Sequence, residues 1–431
     1  MTEIALNPEA PRLLTLSDNR NLRIAMLFVL YIAQGLPFGL FQVALPAWLA
    51  QNGASAAAVG GVLAMTMLPW SLKLIHGFVM DRYSFLAMGR RRPWIVVSQF
   101  GIVAGLLAMA VVNPAVGQVG LIAAFAFAIN LASSMQDVAV DGLAVDILPA
   151  GEIARANGFM FGGQAIGAAV GAAVSGYLIA YHSLPAALLA LGSITATILF
   201  LAIIVRERPG ERLLPWTKGE ALKRNLDLQL GALGPIIRNV FSAMTRRQTL
   251  VLIPALFLAG ALVGIFTGLA PIYSVRMLGW ENDIYSGWSS QANLVGGLAG
   301  ALMFGFIAER SGPRRVLVLT LIGYALAAMA MLALQGYWAS SIALIAAIFI
   351  FKGLNVMRSV TAGSVAMTLC TPAVAATQFS LFMAIQNLGN SAGSASLGML
   401  DSLGGIPAMF TAMAVLSLLA AAFAFAAKVG R

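Results

Sequence analysis

The sequence predicts an all-α membrane protein with twelve transmembrane helices in two pseudo-symmetric six-helix bundles. Three observations predict it: an extreme apolar composition, apolar runs long enough to cross a bilayer, and a repeat relating the two halves of the chain. Of 431 residues, 60% are hydrophobic and 10% charged, against about 45–50% and about 25% in a soluble domain. A water-soluble fold cannot hide that much apolar surface. The runs are about twenty residues or longer, which a hydrocarbon core roughly 30 Å thick requires of a helix.

Taken in order between charged or Pro/Gly-rich breaks, the runs predict helices over 24–50, 55–79, 94–112, 118–146, 156–181, 184–205, 249–276, 284–308, 315–335, 337–369, 374–400 and 404–427. The first 23 residues are polar, and the first apolar run is too long and lacks a small-residue cleavage site. It is therefore expected to stay as a helix and not to leave as a signal peptide. The longest hydrophilic interval, 206–248, carries nine basic residues from Arg206 to Arg247. It divides the chain into an N-terminal bundle (1–205), a cytoplasmic linker (206–248) and a C-terminal bundle (249–431).

A net charge of +10 could indicate a nucleic-acid partner, but the placement of the bases argues otherwise. With the N-terminus inside, the segments 1–23, 80–93, 147–155, 206–248, 309–315 and the tail hold 22 of the 26 Lys and Arg residues, and Arg276 merely borders an outside loop. That asymmetry over short loops is an orientation signal. It places both termini in the cytoplasm, with the bilayer as partner and no nucleic acid. The single cysteine, Cys370, sits in an apolar run, which excludes an internal disulfide framework and reads as a small core residue.

The halves match at a nearly constant offset. Gly39 and Pro46 recur as Gly264 and Pro271, 225 residues later, each proline followed two residues on by an aromatic, Trp48 and Tyr273. Gly77, Asp81 and Arg82 recur as Gly305, Glu309 and Arg310, 228 later, and Gln164, Gly167 and Gly171 recur as Gln386, Gly389 and Gly393, 222 later. Glycines at this spacing, Gly158-Gly162-Gly167-Gly171-Gly176 and Gly389-Gly393-Gly398, are expected to pack helices closely. Pro37 and Pro46 in the first helix and Pro271 in the seventh are places where a helix can open and line a cavity, with Gln34 beside the first.

Two of these repeats carry a motif. Gly305, Glu309, Arg310, Gly312, Arg314 and Arg315, with an earlier copy in Gly77, Asp81, Arg82 and, after an insert, Arg90, Arg91 and Arg92, resemble the cytoplasmic signature of the major facilitator superfamily. The resemblance implies the major facilitator fold, with parallel six-helix halves related by an axis along the membrane normal. Physically, an acid among arginines at a helix end can pair across the two bundles in one state only; the same bases also hold the topology. Pro69-Trp70-Ser-Leu-Lys73-Leu-Ile-His76-Gly77, Ser134-Met-Gln136-Asp137-Val-Ala-Val-Asp141-Gly142 and Gly35-Leu36-Pro37 resemble the muropeptide permease (AmpG-like) and acetyl-CoA transporter branch. That branch implies a bacterial inner-membrane permease for a polar, anionic solute. Muropeptide cargo comes first, with siderophore or acetyl-CoA-type carriage as the alternative.

The intramembrane charges are the candidate site, because an ionisable group at mid-bilayer costs at least ~2.5–3.5 kcal/mol and so faces a cavity or a partner. The first half supplies Lys73, His76, Gln136, Asp137 and Asp141; the second supplies Lys352, Asn355 and Arg358. Asp137 and Asp141, four apart, share a helix face. Asp137 is the deeper and the candidate for proton coupling. Lys73 either neutralises Asp137 or binds a substrate anion, and Lys352, with no acid in its own half, is satisfied by an anionic cargo or by Asp137. Asp141 and Asp146 read as charge partners of the arginine-rich turns, and His76 as an ordinary interfacial residue.

Nothing in the sequence supports an enzyme, a cofactor or a metal: it has no Walker A motif, no metal-spaced Cys/His cluster and no Gly-rich loop after a strand. The expectation is a monomeric transporter of a small-molecule substrate, with protons as coupling ion and alternating access. A membrane assembly factor or sensor on the same fold is the alternative from another class, and it has no use for unpaired intramembrane charges.

Overall fold

The computed structural model describes residues 14–149, 152–227, 242, 245–299, 303–369 and 375–427. Among them lie twelve long helices: α1 Arg20–Gln51, α2 Ala56–Arg82, α3 Arg92–Val112, α4 Val119–Ile147, α5 Ile153–Tyr181, α6 Leu184–Ile204, α7 Arg247–Leu278, α8 Asn282–Ala299 resuming as Gly305–Ser311, α9 Pro313–Ala333, α10 Ser341–Leu369, α11 Ala375–Ala395 and α12 Leu397–Ala426. Ten of these are long and apolar enough to cross a membrane by length and composition, and α8 and α11 complete the two sets of six. Cys370 lies outside the described residues.

The prolines act differently in the two halves. In α1 the chain passes through a wider π-helical turn at Leu40–Ala44, between Pro37 and Pro46, whereas α7 stays α-helical through Pro254 and Pro271. In α2 a 3-10 segment, Leu68–Leu72, carries Pro69. Near the start of α12 the backbone leaves helical geometry at Gly404 and Gly405. Gly405 takes φ +64, a left-handed conformation that glycine adopts without steric cost. Arg276 of α7 pairs with Asp401 at 2.6 Å, so residues 397–403 continue alongside α7 before the chain turns back.

The glycine repeats form the centre of each half. A Cβ on Gly35 would lie 2.6 Å from the Ala168 nitrogen and 2.9 Å from the Gly167 carbonyl carbon; one on Gly264 would lie 2.8 Å from the Ser394 nitrogen. Gly163, Gly167 and Gly171 of α5 meet the backbones of Phe28, Ile32 and Leu36, while Gly389 and Gly393 of α11 meet those of Phe257 and Ala261. Ile32 and Leu36 map onto Phe257 and Ala261 by the same offset of 225 that relates Gly39 to Gly264. Thus α1 on α5 and α7 on α11 are the same packing used twice, small residues letting backbones touch where no hydrophobic force distinguishes helix from lipid. Two expected members do not take part: Gly158 and Gly162 are exposed with open space before them.

The first part of the linker is folded onto the N-terminal half. Leu16 and Ser17 donate backbone N–H groups to the carbonyls of Arg206 and Glu207, and Arg206 donates to Leu14. The fully buried Glu207 carboxylate accepts from the backbone N–H of Arg90 (3.0 Å), Arg91 (2.7 Å) and Arg92. These are free donors at the start of α3, where a negative charge is favoured. Gly89 is required there, with φ +105 and a Cβ position 2.6 Å from the Glu207 carboxyl carbon. Burial pushes the Glu207 carboxyl up, against the lowering effect of those three N–H groups. Glu211 is pushed up to about 7, by burial first and then by the nearby Glu207.

Candidate functional site

At the core of the N-terminal half α1, α2 and α4 bring three polar side chains together. Asp137 on α4 is 5% exposed, pairs with Lys73 of α2 and accepts a hydrogen bond from the Gln34 amide of α1. Lys73 also lies over the Trp70 ring, 4.9 Å from its centroid. The Trp70 indole donates to Asn130 at 3.3 Å, and its ring packs against Phe38, centroids 4.6 Å apart. Gln34 and Lys73 reach Asp137 because α1 and α2 both lie against α4.

Asp141 is one turn nearer the arginine-rich end, and its environment differs. It is exposed, and its carboxylate accepts from the Tyr31 hydroxyl, which is itself buried. Four helical residues separate the two acids by about 6 Å along the axis, so the exposed Asp141 and the buried Asp137 lie one turn apart on the same face. This corrects the expectation that Asp141 pairs with the arginine-rich turns. Asp146 does so: Arg90 and Arg91 reach it at 3.3 and 3.2 Å.

Those two arginines also hold Asp81 at 2.9 and 2.7 Å. Among the described residues, Asp81, Arg90, Arg91 and Asp146 of the first copy of the loop motif thus close a network within the N-terminal half, because the insert before Arg90 folds back toward the end of α4. Arg82 is exposed over the Tyr83 ring, and Gly77 faces Val138 at ordinary contact distance. In the second copy Arg310 lies over Phe306 and Arg314 donates to the carbonyls of Ala424, at 3.3 Å, and Phe425. The side chain of Glu309 and the surroundings of Gly305 lie outside the described residues.

In the C-terminal half the charges are held by neutral groups. Lys352 donates to the Asn293 amide oxygen of α8 at 2.9 Å, not to Asp137, which Lys73 already occupies. Arg358 is buried and donates to Asn355 at 2.9 Å, Gln386 at 2.5 Å and Ser359 at 3.0 Å. Among the described residues no carboxylate lies within ion-pair distance of either cation. Gln136 is buried, its amide donating to the Leu30 carbonyl at 2.8 Å. His76 is 7% exposed and faces the Ser134 hydroxyl of α4 at 3.4 Å, so it is packed inside the protein.

Sequence reasoning missed Tyr31, Trp70, Asn130 and Asn293 as site residues and read Gln386 only as a repeat position. Tyr31 stands three residues before Gln34 and Trp70 three before Lys73, a spacing that shares a helix face, and the sequence could have flagged both. Asn130 and Asn293 depend on which helices meet.

Hydrogen bonds between the halves run from the mid-depth of α2 to the end away from the arginine-rich loops. Asn387 donates to the Trp70 carbonyl (3.1 Å), Ser391 to Ala64 (2.9 Å), Ser290 to Ala169 (3.0 Å) and Asn282 to Ala44 (2.7 Å), and the Tyr181 hydroxyl donates to Asp283 (3.0 Å). Four of the five put a side chain of the C-terminal half on a main-chain carbonyl of the N-terminal half. A separate cavity of about 790 Å³ among Phe257, Ile265, Leu400, Leu403 and Leu416 is apolar and touches none of the intramembrane charges, so it is no site for a polar solute.

Residues 27–393 match the family model of the Major Facilitator Superfamily. Over 386 residues the chain is 27% identical to the anhydromuropeptide permease of Escherichia coli strain K12, covering 85% of this chain and 72% of that one. A stretch of 148 residues is 30% identical to an uncharacterized protein of Haemophilus influenzae, covering 34% of each chain. Among solved structures, a POT family transporter in complex with 5-aminolevulinic acid superposes with a TM-score of 0.71 at 13% identity, covering 96% of this chain and 97% of that one. That likeness bears on the fold alone.

Proposed function

Because the chain belongs to the Major Facilitator Superfamily and is a transporter of that type, we propose that it imports an anionic solute of the muropeptide class by proton symport with alternating access. The observation that carries the reading is the unequal charge of the two halves. The C-terminal half offers Lys352 and Arg358, each oriented by amide or hydroxyl oxygens and neutralised by no described acid. Burying such charges without a partner is costly, and an anionic ligand supplies the missing charge. The similarity to the anhydromuropeptide permease supports the cargo class.

The N-terminal half supplies the coupling groups. The exposed Asp141 takes up or releases a proton, and the buried Asp137, one turn away, is held by Lys73 and Gln34. In this reading the arginine-rich end is cytoplasmic and bears both termini. The hydrogen bonds joining the halves then close the outer side, and alternating access breaks them while the inner side closes.

The test is uptake into vesicles reconstituted with the pure protein, using an anhydromuropeptide and an imposed proton gradient. Lys352→Ala should weaken substrate binding by about 1.5–3 kcal/mol, the range for a hydrogen bond to a charged group. Asp141→Asn should end uphill uptake while sparing substrate exchange. Unchanged affinity in both Lys352→Ala and Arg358→Ala places the solute elsewhere, and gradient-driven uptake of a siderophore with none of the muropeptide removes the cargo assignment.

A further inference from the structure

The docked linker ends in a compact turn that the transport reading does not use. Arg212 donates its backbone N–H to the Ala87 carbonyl at 2.7 Å, and its guanidinium closes the turn on the carbonyls of Pro215 (2.8 Å) and Gly219 (2.9 Å). The Thr217 hydroxyl accepts from the N–H groups of Leu213 and Leu214, both at 3.0 Å. Gly219 takes φ +142, with a Cβ position 2.6 Å from the Arg212 nitrogen. The turn is thus preformed, its polar groups consumed internally. At its apex is Trp216, 79% exposed, followed by the exposed Lys218 and Lys223.

The position of this turn is fixed by Arg92 at the start of α3. A single guanidinium nitrogen of Arg92 donates to the carbonyl of Ile203, in the last turn of α6, at 2.5 Å and to that of Leu213 at 2.6 Å. The turn therefore begins at the very ends of two membrane-spanning helices. Phe85, 45% exposed, is two residues before the Ala87 carbonyl that receives Arg212, and Tyr83, 63% exposed, accepts the Trp94 indole N–H on its carbonyl. Exposed aromatics on the two segments that meet at the Arg212–Ala87 hydrogen bond, with lysines following the indole, have the composition of a membrane-interface anchor: amphipathic rings sit at headgroup level, and lysines attract anionic lipid.

We propose that the turn Arg212–Gly219 is a lipid-binding element, with Trp216 inserted among the headgroups of the leaflet on the arginine-rich side and Lys218 and Lys223 held against anionic lipid. The docked linker then ties the orientation of the N-terminal half to the bilayer surface. The occupant is the bilayer itself and not a soluble partner, because the exposed charge nearest Trp216 in sequence is Lys218, the exposed bases Lys218, Lys223 and Arg224 outnumber the exposed acids Glu220 and Asp227, and the anchor points are helix ends.

The experiment uses the full chain in vesicles of phosphatidylcholine with and without phosphatidylglycerol. In a Cys370→Ser background, a nitroxide is attached to Trp216→Cys or, as a control on the same segment, to Glu220→Cys. The expected result at position 216 is a loss of collisions with a water-soluble nickel relaxant and a gain with oxygen, relative to position 220, deepening when phosphatidylglycerol is present. Equal nickel access at both positions overturns the proposal, as does a label at 216 that becomes shielded only when cytosolic protein is added. Should labelling disturb folding, brominated lipids give the same answer: they should quench the emission of the unmodified chain more than that of Trp216→Phe, and equal quenching refutes insertion.

Discussion

Removing Lys73 should be far more damaging than removing both members of the pair it makes with Asp137. The side chain of Asp137 is 6% exposed and that of Lys73 21%, so the two single substitutions strand unequal charges. Lys73→Met leaves a buried carboxylate with the Gln34 amide as its remaining donor, and breaking a buried pair in this way costs about 3–5 kcal/mol. Asp137→Asn leaves an ammonium that is less buried and still lies over the Trp70 ring. That contact returns about 1 kcal/mol, so the cost should be roughly 2 kcal/mol, at the lower end of what an uncompensated charge incurs. In the double variant no charge is stranded, and it should lie within about 1–2 kcal/mol of the parent, since replacing a buried pair by neutral groups is often nearly neutral. Thermal unfolding of the four proteins in one detergent gives the coupling directly. Costs that simply add would refute the argument, because they would mean that the two groups are independently solvated. Substrate affinity measured on the same proteins separates the other role for Lys73: a loss in Lys73→Met that persists in the double variant belongs to the solute.

Three further outcomes follow from the geometry. Glu207→Ala should lower thermal stability by about 1–3 kcal/mol, the cost of leaving buried donors unsatisfied, and a change indistinguishable from zero would mean water replaces the carboxylate; a linked expectation concerns pH. The Glu211 carboxyl is raised from 4.5 to about 7, so its contribution to docking is fully present below the ordinary carboxylate value and is lost as pH rises through about 7. Proteolysis after Lys223 should accelerate over that window in the parent and not in Glu211→Gln. In the helix seams, Gly35→Ala and Gly264→Ala should each cost about 1–3 kcal/mol by overpacking against backbone, while Gly61→Ala, with open space before it, should be neutral; equal effects at all three would remove the seam argument. Reporter fusions at Asn52, Ala115, His182 and Glu281 should report the outside and those at Leu86, Glu152, Asn225 and Gly312 the inside, and an inside signal at Ala115 or His182 would contradict the orientation.

By itself the sequence determined that the chain crosses a membrane twelve times and that its halves are copies. Both follow from one-dimensional patterns: the length of an apolar run is set by bilayer thickness, and the repeated glycines keep their spacing because each lets one backbone touch another. It also singled out the charges that lie inside the membrane-spanning runs, since a charge inside an apolar run stands out without knowledge of its neighbours. Which charge meets which was decided only by the tertiary structure. Asp137 takes Lys73 and not Lys352, Asp141 takes Tyr31 and not the arginines, and Asp81 with Arg90 and Arg91 closes a network inside one half. The linker was legible as a hydrophilic gap but not as a docked segment, because Glu207 finds its partners in three backbone N–H groups that every residue type carries. The physical reason is common to all of these. Burial in lipid is a property of a segment and can be summed along the chain, whereas an ion pair or a hydrogen bond depends on a separation of about 3 Å between residues on different helices, fixed only when those helices pack.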